Sequence, residues 1–339
     1  MKVVILSKNG KAAYRSVKEP PLGPKLVKVR VMAAGLCGSD IQKMNTNSLT
    51  ANYGSKSILG HEVSGTVVGL GKGVKKIKIG DRTAINPLIS CGKCEFCKMG
   101  KTELCTNLKS IGRELPGGFA EFVFLPEQNV KTIGNKLKFE TAALADVVAC
   151  ALHCYHIAKS PRNKDVLVIG DGPIALICGK IFSLNSNRIT IIGKHQKALS
   201  FASKNWKYNT TKTSKTKEMR SDMYDYVIEA VGGTQEDTIK SSVNLVKKGG
   251  TIIVMGVFEN DYHGKINYRK LFYKEGEMIG SNSYTVNEFA AAVNILKKHR
   301  AGISKIITHK IPINRFRNWR ALINNRNSSG AIKIMFVPK

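Results

Sequence analysis

The chain has 339 residues, 42% of them hydrophobic, and carries 54 Lys and Arg against 24 Asp and Glu, a formal charge of +30. That length and apolar content exclude a disordered chain and a minimal disulfide-held scaffold, and they suffice for two domains with separate cores. The charge sets up a positive field that favours acidic ligands without choosing among nucleic acid, anionic membrane and small phosphorylated molecules. Compositional drift, with basic residues scattered singly over solvated faces, accounts for it equally well. No aromatic-interleaved basic motif or paired-histidine finger spacing occurs, so a nucleic-acid module is not expected. No apolar run reaches the length needed to cross a bilayer.

In chain order, the opening MKVVILSKNG holds only four apolar residues in a row, Val3 to Leu6, and reads as a first strand rather than a signal-peptide core. The reducing cytoplasm is therefore the expected compartment. From Met1 to Asp146, short β-like runs separated by Gly turns (VKVRVMAAG, EVSGTVVGLG, GGFAEFVFLP) predict a β-rich, barrel-like unit. From Val147 to about residue 281 the texture alternates strand and helix: DVLVIG, a helix from Pro173, RITIIG, a helix around KALSFASKNW, DYVIEAVG, a helix through TIKSSVNLVKK, and GTIIVMGV. That period predicts an α/β unit with a parallel doubly wound sheet. The polar, basic stretch 204–223 reads as a solvated loop or poor strand edge. Residues 282–339, with a helix in NEFAAAVNILKKH and a strand in AIKIMFVP, are expected to return to the first domain.

Four cysteines, Cys91, Cys94, Cys97 and Cys105, fall in the single run CGKCEFCKMGKTELC. This spacing lets one loop place four thiolates tetrahedrally around Zn²⁺, and a closed site of that kind is structural rather than catalytic. A disulfide framework is the competing reading. It suits a short secreted chain better than this one, whose other cysteines (Cys37, Cys150, Cys154, Cys178) are scattered.

The turn Gly170-Asp171-Gly172-Pro173-Ile174-Ala175 follows an apolar strand and opens a helix. In that context the first Gly makes the tight turn, the second lets a pyrophosphate approach the backbone, and Ala175 allows close helix packing. The helix N-terminus then offers amide donors and partial positive charge to a dinucleotide phosphate. The next strand ends in Gly193-Lys194-His195, where an Asp or Glu would normally hold the ribose hydroxyls. A small residue followed by cations accommodates a 2′-phosphate and favours NADP over NAD. The opposing reading has Lys194 and His195 facing solvent and another residue serving NAD.

Cys37 in GLCGSD and His61-Glu62 in LGHEVSG are further Zn²⁺ ligand types at Gly-flanked turns. A third ligand is needed, and the sequence alone leaves Glu62, Asp146, Cys150, His153 and His156 open. The order GLCGSD, GHEVSG, GDR, CGKCEFCKMGKTELC, GGFAEFV, VLVIGDGPIA, EAVGG and GTIIVMG resembles the zinc-dependent medium-chain dehydrogenases over essentially the whole chain, in their polyol branch of sorbitol, galactitol-phosphate and threonine dehydrogenase-like members.

The resemblance implies a GroES-like catalytic domain (1–146), a Rossmann domain (147–281) and a C-terminal return (282–339). It implies catalytic zinc on Cys37, His61 and the acidic position Asp146, where Val147 replaces the usual Pro, with Glu62 beside the metal. Ser39 would take the alcohol proton, Asp40 would support the site, and Gln42 stands where many members have a His. Gly170, Gly172, Pro173, Ile174, Gly193, Lys194, His195 and Val231 of EAVGG would hold NAD(P). Hydride transfer from a zinc-bound secondary alcohol is the implied reaction, with a polyol, sugar alcohol or its phosphate as substrate; a threonine-like amino alcohol or a biosynthetic-pathway alcohol is the alternative, and a non-catalytic paralogue that binds nucleic acid the remote one. The resemblance also implies a homo-dimer or homo-tetramer, and specificity set by loops around residues 42–58, 109–117 and 256–285.

Overall fold

The computed structural model describes residues 1–7, 11–46, 52–53, 56–233, 236–258 and 266–338. The chain divides into two compact units, one of Met1–Ala149, Tyr284–Asn324 and Lys333–Lys339, the other of Cys150–Ser283 and Asn325–Ile332. The first division falls within the helix Ala145–Ile157 rather than in a linker. Within the C-terminal segment, residues 325–332 belong to the second unit, a placement with no trace in local composition.

The first unit is built on a sheet ordered Ile307–Pro312, Lys333–Val337, Leu26–Gly35, Glu62–Leu70, Arg82–Ile85, Val130–Thr132, with Phe122–Pro126 pairing the other side of Leu26–Gly35. In Leu26–Gly35 the alternate residues Val27, Val29, Val31 and Ala33 are buried, the period of two expected of a strand with one face on a core. That core gathers Val63, Val67, Ile85, Phe119, Phe316 and Phe336. Phe119 meets Phe336 edge-on at 5.1 Å between ring centres, a favourable quadrupole arrangement. The predicted C-terminal helix spans Val286–Ile303, started by a capping box in which Thr285 and Glu288 exchange side-chain and backbone hydrogen bonds.

The second unit is the doubly wound α/β sheet. Among the described residues its strands run in the order Asn209–Lys212, Arg188–Gly193, Asp165–Ile169, Tyr224–Glu229, Val246–Val254, Glu277–Gly280, all parallel. Helices on both faces require central strands that are apolar on both sides, and Val166–Ile169 and Ile189–Ile192 are buried almost throughout. Strand order reverses at Asp165–Ile169, the topological switch point where such sheets bind ligands. The polar stretch after the helix Gln196–Trp206 forms the edge strand Asn209–Lys212 and a 3₁₀ turn, Thr213–Glu218. Among the described residues no helix is long and apolar enough to cross a membrane.

Candidate active site

Strand register assembles the first cluster. Leu26–Gly35 and Glu62–Leu70 run antiparallel with Gly35 opposite Glu62, so the residues just past one strand end and just before the other, Cys37 and His61, meet. Donor atoms of Cys37, His61 and Glu62 all lie within 4.8 Å of one another. Gly35 leaves room for Glu62 at this crossing: a Cβ there would stand 1.9 Å from Glu62 Oε2 and displace the carboxylate. The helix Gly38–Thr46 starts immediately after Cys37 and places Ser39, half-buried, and fully buried Asp40 in its first turn.

Asp40 Oδ2 accepts from the Cys37 N–H at 3.1 Å, and its Oδ1 lies 3.6 Å from His61 Nδ1. Burial alone would raise the Asp40 pKa, but the His61 charge and hydrogen bonds outweigh it and hold the carboxyl below its usual value. Burial likewise opposes charge on His61, yet facing Asp40 and Cys37 raises its pKa well above the ordinary imidazole value. These shifts describe a buried site with negative potential. A thiol, an imidazole and a carboxylate in such a field suit a Zn²⁺ ion, and Asp40, oriented toward Nδ1, is placed to support the ring.

The two carboxylates considered for the third position have different surroundings. Glu62 is held by Lys333, whose ammonium donates to Oε1 at 2.5 Å and contacts Oε2; both side chains are essentially inaccessible to water. The same ammonium donates to the Leu36 carbonyl at 3.0 Å. Burial raises the Glu62 pKa more than Lys333 lowers it. Asp146 stands outside the 4.8 Å set, but its Oδ2 is 4.0 Å from His61 Nε2 while its Oδ1 accepts from the buried Tyr284 hydroxyl. Neither Lys333 nor Tyr284 carries a motif, and nothing in the sequence pointed to them. Cys150, His153 and His156 follow on the same helix but within the second unit.

The four-cysteine run forms its own lobe, closed by a short antiparallel pair of Leu88–Ile89 with Lys109–Ser110. The four sulfurs lie within 4.8 Å of one another. Cys105 Sγ accepts from the Cys91 N–H at 3.2 Å and Cys91 Sγ from the Cys94 N–H at 3.4 Å, as expected of sulfurs shaped to carry negative charge. Hydrogen bonding from the Cys97 and Thr106 backbone lowers the Cys94 pKa to about 6, whereas burial pushes Cys97 up to about 12. Protons shared unequally among four thiols fit a site completed by a divalent cation.

In the second unit Gly170 adopts φ +130°, open to Gly alone, and a Cβ on it would crowd Ala175 Cβ at 3.2 Å. Gly172 caps the helix Pro173–Ser183 without a side-chain hydrogen bond, and nothing lies within 4 Å of where its Cβ would be. Open space before a helix N-terminus is what a pyrophosphate needs. Ile174 is half-buried beside the turn, and Val231 is 40% exposed. The turn at Val231 is held by Glu229, which sequence reasoning missed; its Oε1 accepts from the Val231 and Gly232 N–H groups.

At Gly193 the structure adds a neighbour that the sequence reading did not consider. The strand end lacks a carboxylate of its own, but Asp171 of the glycine turn supplies one. A Cβ on Gly193 would fall 2.5 Å from Asp171 Oδ2. Asp171 accepts from the His195 backbone N–H at 2.6 Å, and His195 Nδ1 lies 2.9 Å from its Oδ1. Lys194 is exposed beside this pair. Of the loops expected to set specificity, residues 47–51, 54–55 and 259–265 lie outside the described residues.

Comparison with known proteins agrees with this architecture. Residues 23–135 match the model of the alcohol dehydrogenase GroES-like domain, and residues 181–298 that of the zinc-binding dehydrogenases. Sorbitol dehydrogenase of Halalkalibacterium halodurans is 28% identical over 353 residues, covering 100% of this chain and 99% of the relative. Galactitol-1-phosphate dehydrogenase from Escherichia coli superposes with a TM-score of 0.87 at 25% identity and full coverage of both chains. A Sinorhizobium meliloti 1021 structure with NADP bound gives 0.89 at 26% identity, with 99% of each chain covered. The chain belongs to the zinc-dependent medium-chain dehydrogenases.

Proposed function

We propose that this enzyme oxidises a secondary alcohol of a polyol, sugar alcohol or sugar-alcohol phosphate, and reduces the corresponding ketone, with NADP(H) preferred over NAD(H). The juxtaposition of Cys37 and His61 with buried acidic groups at the ends of two register-locked strands carries this reading. Zn²⁺ supplies Lewis acidity that makes a hydroxyl proton easy to lose, and the nicotinamide supplies the hydride acceptor.

Cys37, His61 and Asp146 are the residues that would hold the catalytic metal. Glu62 has its charge answered by Lys333 beneath it, whereas Asp146 is anchored through one oxygen and keeps the other toward His61. Ser39, two residues past Cys37, accepts the proton of the substrate hydroxyl. Gln42, one helical turn on, has no titratable atom, so the proton leaves through water or the cofactor ribose. Asp40 orients His61. Gly170, Gly172 and the amides that open the helix at Pro173 take the pyrophosphate, with Ile174 and Val231 beside the cofactor. Cys91, Cys94, Cys97 and Cys105 hold a second, structural zinc.

The charge of +30 favours a phosphorylated substrate over a neutral one. We place the enzyme in the cytoplasm as a homo-dimer or homo-tetramer. The exposed aromatic residues Tyr268, Phe272 and Tyr273, next in sequence to the edge strand Glu277–Gly280, are consistent with self-association. Steady-state rates on a panel of polyols and their phosphates, each with both cofactors, test the reading. Turnover restricted to primary alcohols, or to threonine, would replace it.

A further inference from the structure

We infer that Asp171, the variable residue of the glycine turn, is the positioning residue for cofactor selection, holding His195 against the 2′-phosphate of NADP(H), and that Arg326 is a second cation of that subsite. The inference rests on the NADP(H) preference proposed above. It rests equally on a grouping that sequence order does not suggest: Asp171, Gly172, His195, Ala198, Arg326 and Gly330 line one narrow crevice in the second unit, with no room inside it for a water molecule, so a phosphate would sit at its mouth.

Asp171 is 9% exposed and directs both oxygens at His195, one to its backbone N–H and one to its ring. The carboxylate is thus covered by the imidazole, whose side chain is 30% exposed, so an incoming ligand meets the ring before the acid. With Nδ1 held by Asp171, Nε2 is the ring atom left for a ligand. Gly193 makes this possible, because any side chain there would take the space Asp171 occupies.

The segment Asn325–Ile332 closes the crevice. Asn327 Oδ1 accepts from the Gln196 N–H at 3.1 Å, and Lys197 donates to the Ser328 carbonyl, so the segment is tied to the start of the helix Gln196–Trp206. It brings in Arg326, whose Nε is buried without a hydrogen-bond partner among the described residues. Burial lowers the Arg326 pKa and the Asp171 charge opposes that fall, and the guanidinium stays charged at neutral pH in either case. A buried, unsatisfied guanidinium N–H beside an acid-braced imidazole is a donor set that a phosphate dianion answers more strongly than a neutral ribose hydroxyl, through charge-assisted hydrogen bonds.

The test is binding rather than turnover. NADPH and NADH are titrated by fluorescence, and 2′,5′-ADP and 5′-AMP by calorimetry, against the wild type, Asp171→Asn, His195→Asn, the double variant and Arg326→Met, with thermal melts confirming that each is folded. We expect wild type to prefer 2′,5′-ADP over 5′-AMP. Asp171→Asn and Arg326→Met should each cut that preference about tenfold, the scale of one charge-assisted contact, with 5′-AMP affinity changed less than about twofold. The double variant should match His195→Asn, since Asp171 acts through the ring. If Asp171→Asn weakens both nucleotides equally, the residue only shapes the turn. If it strengthens 2′,5′-ADP, the carboxylate repels the phosphate. Either result overturns the inference while leaving the NADP(H) preference standing, whereas a wild-type preference for NADH would remove that preference and the inference with it.

Discussion

Replacing Lys333 with Met tests the buried ion pair under the metal cluster. The Lys333 ammonium donates to Glu62 Oε1 and to the Leu36 carbonyl and lies in ion-pair contact with Glu62 Oε2, and the two side chains are 1% and 0% exposed. Met fills much of the volume but leaves a carboxylate that has lost its ion-pair partner and has no route to water. Breaking such a pair from one side costs about 3–5 kcal/mol, chiefly the penalty of the stranded charge. For a unit of this size 1 kcal/mol moves the melting temperature by about 2–4 °C, so Lys333→Met should melt about 6–20 °C lower. Adding Glu62→Gln removes the stranded charge and should restore most of the loss, because replacing both partners is close to neutral. Scanning calorimetry at one fixed pH, with zinc content checked for each variant, reads both effects. A single variant melting within about 2 °C of wild type, or a double variant no more stable than the single, would refute the claim that Lys333 answers the charge of Glu62.

Other outcomes follow from the same geometry. Metal analysis should find about two zinc ions per chain. Cys37→Ala should lose one ion and all turnover while remaining folded, and Cys97→Ser should lose the other and destabilise the lobe, since binding at a structural site is coupled to folding. Asp146→Asn should release zinc or abolish turnover with NADPH binding nearly intact, whereas Glu62→Gln should keep its metal; the reverse pattern would exchange their roles. Asp165 has its carboxyl held below the usual value by the Arg188 hydrogen bond and by Lys247. A depressed acid stabilises above its unfolded pKa of about 3.9, and that contribution is lost as pH falls through the folded value. Asp165→Asn should therefore be less stable than wild type at pH 6 and converge with it in acid, and a pH-independent gap between their melts would contradict the assignment.

The sequence by itself determined whatever depends on neighbours along the chain. The four-cysteine lobe is legible because one loop supplies all four thiols, and the glycine turn because φ +130° at Gly170 and close packing at Ala175 are demands on single residue types. The alternation of strand and helix from Asp165 onward follows from periodicity, and the β-rich texture of the first unit from short β-like runs between Gly turns. Tertiary structure alone decided the groups that act across distance. Glu62 and Lys333 are 271 positions apart and meet because Leu26–Gly35 pairs with both Glu62–Leu70 and Lys333–Val337, a register no local pattern encodes. Tyr284 reaches Asp146 across 138 positions because the chain from Tyr284 onward returns to the first unit. The absence of an acid at Gly193 is true of the chain but not of the space beside it, because adjacent parallel strands bring the turn after one to the end of the other and Asp171 fills the room the glycine leaves. Side-chain direction and strand register, rather than residue type, settle which charges meet.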